Sequence, residues 1–182
     1  MSDRLKARYS PSARILHWVT AMLVLIAFIV GPEGSEQQIY DTSHDFGLQL
    51  HETLGLAVLG LTVVRVLWRV IDSQPEPVEV ERWMGIASKV VQGLLYILLF
   101  AVPLSAIAGA WFEGHPLTLL ASIKIMPAIA TSRSVGKTIA EIHTWLGDAI
   151  LWLAGFHALA ALFHHYILKD GILVSMLPRW RR

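Results

Sequence analysis

Residues 139–168 read IAEIHTWLGDAILWLAGFHALAALFHHYIL, with Glu141 and Asp148 as the only acidic residues and no Lys or Arg. The run is longer than the ~20 apolar residues that cross a ~30 Å hydrocarbon layer. It is too long and too uniformly apolar for a barrel strand, and a backbone in lipid must satisfy its own hydrogen bonds, so it is predicted to be a helix. His143 and His157 are fourteen residues apart in it. On a helix that spacing is ~21 Å along the axis and only ~40° around it. One face of one helix therefore carries two imidazoles at two depths.

Working outward, three further segments qualify as spans, roughly 14–31, 47–71 and 85–111. The polar or proline-containing connections are Pro32 to Phe46, Asp72 to Met84 and Phe112 to Thr138. The expected fold is all-α, an integral membrane four-helix bundle forming one domain over residues 1–182. Composition agrees, since 54% of residues are hydrophobic and 16% charged, against about 25% charged in soluble domains. A net charge of +1, with no basic run interleaved with aromatics outside the chain ends, gives no footing for nucleic acid. The first apolar run follows basic residues as a secretory leader would. It leads into Gly31-Pro32-Glu33 without a small-x-small cleavage pattern, so a retained helix is expected.

Basic residues accumulate on the cytoplasmic side of spans. Of the 15 Lys and Arg, Arg4, Lys6, Arg8, Arg14, Arg65, Arg69, Arg82, Lys89, Lys169, Arg179, Arg181 and Arg182 fall on the side of the two termini. Both termini are thus expected in the cytoplasm. The opposite side holds only Lys124, Arg133 and Lys137, all in the third connection or beside it.

There is no cysteine, which excludes disulfides, thiolate clusters, Cys-ligated zinc and covalent haem attachment. Redox or metal chemistry would fall to the histidines. Four of the eight, His17, His51, His143 and His157, lie inside apolar spans, where an ionisable ring is costly and marks a function. His51 and His143 each begin a helix running inward, so they share the outer level; His17 and His157 share the inner one. A haem between facing helices takes one axial nitrogen from each side, and bundle cores are where such sites are built. The arrangement suits two haems b at two levels. Gly55 and Gly147, each four residues after a histidine, would leave room for a flat macrocycle. Two other readings exist: histidines that only hydrogen-bond between helices, and a metal path. A metal would want ligands converging at one depth together with carboxylates, and Glu52, Glu141 and Asp148 are the few available in the spans.

Leu16-His17-Trp18, His51-Glu52-Thr53-Leu54-Gly55 with Arg65-Val66-Leu67-Trp68-Arg69, Tyr96 to Pro103, Glu141-Ile142-His143, and His157 followed by His164-His165-Tyr166 and Lys169-Asp170 carry a resemblance over nearly the whole length. The chain resembles the bacterial di-haem cytochrome b561 family, within the wider group that includes haem-b subunits of nickel hydrogenases. The resemblance implies His17, His51, His143 and His157 as the iron ligands, paired as their depths suggest. It also implies electron exchange with ubiquinone in a bacterial inner membrane and, for one branch, oxidation of superoxide at the outer face. The chain departs from the family in an extra His44 and in Gln92, where some members have histidine.

His164 lies seven residues past His157, about 10 Å further inward and ~20° around, on the same side; His165 is turned away. His164 is the candidate for proton delivery to quinone, because quinone reduction consumes protons. An interfacial histidine facing headgroups is its plainer reading. Arg65, fourteen residues after His51, comes to the depth of His157, where a haem propionate would serve it; snorkelling to the interface would serve equally. Arg69 is expected to snorkel, His44 and His115 to sit in outer connections, Pro103 to kink its helix, and Trp18, Trp68, Trp83, Trp111 and Trp180 to anchor at interfaces. Two functions follow as expectations. One is a superoxide:ubiquinone oxidoreductase; the other is a membrane cytochrome subunit relaying electrons between a redox partner protein and quinone.

Overall fold

The computed structural model describes residues 8–31, 46–72 and 80–177. Four long helices, α1 (Pro11–Ile29), α2 (Phe46–Ile71), α3 (Arg82–Glu113) and α4 (Arg133–Phe163), are each long and apolar enough to cross a membrane. α4 runs on through a single π turn, His164–Leu168, and a short α5 (Ile172–Met176) follows. Between α3 and α4 lies a small antiparallel hairpin of β1 (Leu117–Thr118) and β2 (Lys124–Ile125), pairing Leu117 with Ile125 and Thr118 with Lys124. The fold is the expected four-helix bundle.

Helix ends fall where local chemistry sets them. α1 starts at Pro11, earlier than the apolar run, because the Ser10 hydroxyl accepts the Ala13 N–H (3.2 Å) and proline suits a first-turn position. α3 stops at Gly114, whose φ of 87° is open to glycine. α4 begins at Arg133 rather than near residue 139. Its extra first turn packs on the end of α3, where a Cβ on Gly136 would stand 2.3 Å from Glu113 Cγ and 2.8 Å from Glu113 N. The hydroxyls of Thr20 and Thr62 are buried and return to the carbonyls of Leu16 and Val58, both at 2.7 Å, so neither meets lipid unpaired.

Packing is closest within two antiparallel pairs, α3 on α4 and α1 on α2, and thinner between the pairs. Across that thinner seam the buried apolar core is a middle layer of Val58, Leu99 and Ile150, with Leu23, Val24, Leu95, Leu98 and Val102 against it. Val58 is seven residues past His51, and Ile150 stands midway between His143 and His157. An apolar plug about 10 Å from each level therefore separates the two histidine depths.

One end of the bundle gathers the start of α1, the end of α2, the start of α3 and α5, and with them most of the described arginines. At the other end the hairpin closes over α2, since Glu52 accepts the Thr118 N–H (2.5 Å) and Thr53 accepts the Leu120 N–H (2.9 Å). Glu52 thus anchors a loop. Asp148, one of the few carboxylates in the spans, is exposed, on the side of α4 away from the core. An aspartate at a span's centre costs about 2.5–3.5 kcal/mol on insertion scales.

Candidate functional site

α2 and α4 bring His51 to His143, with ring centroids 6.1 Å apart; α1 and α4 bring His17 to His157, with centroids 6.5 Å apart. Both pairs bridge the thinner seam between the two helix pairs. The depth argument expected these partners. A metal bonded to one imidazole nitrogen on each side at about 2.0–2.1 Å, with each ring centre about 1.1 Å behind its nitrogen, would separate the centroids by roughly 6.3 Å. Each pair is therefore spaced to take an iron between its rings. A Cβ added at the half-buried Gly55 or Gly147 would meet nothing within 4 Å, so there is open space one turn from the hairpin-end pair. Among the described residues no group of three or more His, Cys, Asp or Glu is placed to hold a metal ion, and Glu52 is engaged with the hairpin. The donors come as imidazole pairs, and these fit haem.

At the hairpin end the protons are arranged for ligation. His51 Nδ1–H donates to the Ala27 carbonyl at 2.8 Å, and His143 Nδ1–H donates to the Val102 carbonyl at 2.9 Å. Each bond fixes the tautomer and leaves the Nε2 lone pair unprotonated, as metal-binding histidines require. Ala27 can accept because its carbonyl lies in the last turn of α1, where intrahelical partners run out. Gly31 leaves the His51 ring its place: a Cβ there would come within 3.3 Å of Cε1 and Nδ1. α3, which has no histidine, contributes through Val102 and through Ser105, whose hydroxyl lies 3.2 Å from His143 Nδ1.

The other pair is held differently. Arg65 Nη2 donates to His17 Nδ1 at 2.9 Å. A guanidinium has only donors, so this contact places the His17 proton on Nε2. For His17 to serve as a ligand through Nε2, that proton would have to sit on Nδ1 and Arg65 would have to release the ring. Arg65 then has an anion to find. It already lies 5.2 Å from the centre of the Tyr96 ring, with Arg69 at 6.0 Å from the same ring, in a pocket also lined by Tyr9, Trp68 and Met176.

His164 sits where α4 changes to its π turn, and its Nδ1 pairs with Asp170 Oδ2. Asp170 Oδ1 accepts the Ile172 N–H at 3.0 Å, which seats the carboxylate at the start of α5. Lys169 and Gly171, both at positive φ (54° and 85°), turn the chain so that Asp170 comes back onto His164. A carboxylate on Nδ1 leaves Nε2 as the atom that exchanges protons. Sequence reading missed Asp170 as a partner. The signal was the polar pair Lys169-Asp170 directly after a span, next to Gly171.

Trp18 Nε1 donates to the Met176 carbonyl at 2.9 Å, tying α1 to α5, and Trp68 Nε1 reaches Ser10 Oγ at 3.4 Å. Trp111, expected as an anchor, has its Nε1 buried without a partner among the described residues. Lys124, Arg133 and Lys137 are exposed at the hairpin end, and His115 lies in the turn before β1. His44 and Trp180 lie outside the described residues.

Comparison with known proteins places the chain in a family. The profile of the family described as prokaryotic cytochrome b561 matches residues 8–179. The chain is 29% identical to cytochrome b561 homolog 2 of Escherichia coli (strain K12), over 94% of this chain and 92% of that one. It is 31% identical to the probable superoxide oxidase CybB of Yersinia pestis, over 91% of this chain and 93% of that one. It is 34% identical to cytochrome b562 of Cereibacter sphaeroides, over 90% of this chain and 92% of that one. The family and the four apolar helices make it a multi-pass bacterial membrane protein of electron transport, for which binding of haem b follows from membership. The chain belongs to the prokaryotic cytochrome b561 family.

Proposed function

We propose that the chain is a di-haem cytochrome that moves electrons across the bacterial inner membrane to ubiquinone, with superoxide as the donor at the hairpin end. The observation that carries this reading is the pair of facing imidazole couples, at 6.1 and 6.5 Å, on two levels of one bundle. His51 and His143 hold one haem b and His17 and His157 the other; bound there, the haems supply one-electron storage at two depths. The arginine-rich end, with both termini, faces the cytoplasm.

The protein's own groups have separate tasks. The Ala27 and Val102 carbonyls keep His51 and His143 in the ligating tautomer. Arg65, now hydrogen-bonded to His17, would be available to balance an anionic group of the haem that His17 and His157 would hold. The Val58, Leu99 and Ile150 layer keeps water from between the two levels. Each superoxide gives up one electron and leaves as dioxygen; two electrons and two protons from the cytoplasmic side convert one ubiquinone to ubiquinol. His164 passes protons from Nε2, held in place by Asp170.

The proton role is testable. His164→Leu should keep both haems and slow their oxidation by ubiquinone about 10²-fold, the scale of a lost general acid. Asp170→Asn should fall between that variant and the parent, and His165→Leu should do less. Stopped-flow oxidation of the reduced protein checks this; parent-like kinetics in His164→Leu remove it from the quinone site.

The donor assignment rests on the likeness to the probable superoxide oxidase of Yersinia pestis and on charge. Lys124, Arg133 and Lys137 present exposed positive charge at the hairpin end, and such charge raises encounter rates with small anions at low ionic strength. Replacing all three by Gln should lower the rate of haem reduction by superoxide roughly tenfold at low salt and flatten its salt dependence, with quinone oxidation unchanged. An unaltered rate and salt dependence favour the second reading, a membrane subunit receiving electrons from a redox partner protein.

A further inference from the structure

Asp148 lies two residues before Ile150, at the level of the apolar layer between the histidine pairs, and its side chain is exposed. Among the described residues it makes no hydrogen bond or ion pair. A carboxyl facing hydrocarbon at that depth is disfavoured, and intramembrane acids almost always have a partner. From Trp145, alternating steps of three and four residues lead through Asp148, Trp152, Gly155, Leu159 and Leu162, and every one of these positions is exposed. Trp145 and Trp152 are each 70% exposed. Steps averaging 3.5 residues form a straight seam for a left-handed helix crossing. His143, Ile150 and His157 lie on the opposite side of α4 and face the bundle.

We propose that this seam is the contact surface for a second copy of the chain, α4 against α4 about a two-fold axis normal to the membrane. The polar groups on the seam select that occupant. Asp148 can accept, and the indole N–H groups of Trp145 and Trp152, one turn to either side, can donate; neither indole nitrogen has a partner among the described residues. Two copies inserted with the same topology present their seams parallel and level. Each Asp148 then meets the other copy's indole donors, and the unpaired groups of both leave lipid together. Gly155 makes room beside the bulky Trp152, and one polar position in an apolar seam fixes register. The inference is independent of the electron donor, because the histidine face of each copy stays untouched.

The absence of native cysteine permits a direct test on the full chain in native membranes. Gly155→Cys and Leu159→Cys lie on the seam; Leu25→Cys and Val64→Cys lie on exposed faces of α1 and α2 and serve as controls. On oxidation with copper phenanthroline, the seam variants should give a disulfide product of twice the chain mass and the controls should not. Adding Asp148→Leu to Leu159→Cys should reduce that product about tenfold, the scale of a lost interhelical hydrogen bond in a membrane. The haem spectrum should be unchanged in both, which reports an intact fold. No product, equal product from the controls, or a product of another mass overturns the proposal, as does full product with Asp148→Leu.

Discussion

His51→Ala and His143→Ala are each expected to abolish the same haem and leave the other intact, while His17→Ala and His157→Ala abolish the second. Each single substitution should remove about half of the haem absorbance, because a bis-histidine iron is lost when one axial ligand is lost. Combining His51→Ala with His143→Ala should remove no more than either alone; combining His51→Ala with His157→Ala should remove nearly all. The expectation rests on the ring pairs themselves, at 6.1 and 6.5 Å. Absorbance spectra resolved by redox titration of purified variants check it. If the four histidines only bridged helices, the variants would retain haem, and if His51 and His157 proved to share a haem, the assignment by depth would be wrong.

Gly136→Leu is expected to have the largest effect on stability of any single change outside the histidines. A Cβ at this position would stand 2.3 Å from Glu113 Cγ, 2.8 Å from Glu113 N and 3.1 Å from the Gly109 carbonyl. Two of those three atoms are backbone, so neither can swing aside. Even Gly136→Ala forces α3 and α4 apart, and overpacking of this kind costs about 1–3 kcal/mol; leucine should exceed that. Because the His143 tautomer depends on the Val102 and Ser105 side of α3, separation should also loosen the hairpin-end haem first. Thermal loss of the haem bands, followed separately for the two haems, measures this. A Gly136→Leu protein as heat-resistant as the parent would contradict the close approach.

The spans were legible because apolar length in lipid leaves a helix as the default, and the histidine partners because fourteen residues is close to a whole number of turns. Helix ends were less so. Residues 133–138 are polar enough to read as loop, yet they wind into α4 because Gly136 lets that turn seat against Glu113. The supporting contacts could not be read at all, since they join distant parts of the chain: Ala27 to His51, Val102 to His143, Arg65 to His17, and Glu52 to the Thr118 N–H. Asp170 was visible as a residue but not as a partner. Its return to His164 depends on departures into positive φ on either side of it, at Lys169 and Gly171, and Lys169 is a residue type that does not announce such a turn. Depth placed Asp148 within the span, and its outward side follows from the histidine face, because Asp148 lies about 140° from His143 and about 180° from His157 around α4.

The most direct test of the account is a pyridine haemochrome count on the purified chain, combined with its reduced-minus-oxidised spectrum. Two haems b per chain, both low-spin and with distinct reduction potentials, are the predicted result, since one pair donates its imidazole N–H groups to backbone carbonyls and the other stands beside Arg65. One haem per chain, or two with a high-spin component, would contradict the reading that both histidine pairs are axial ligand sets.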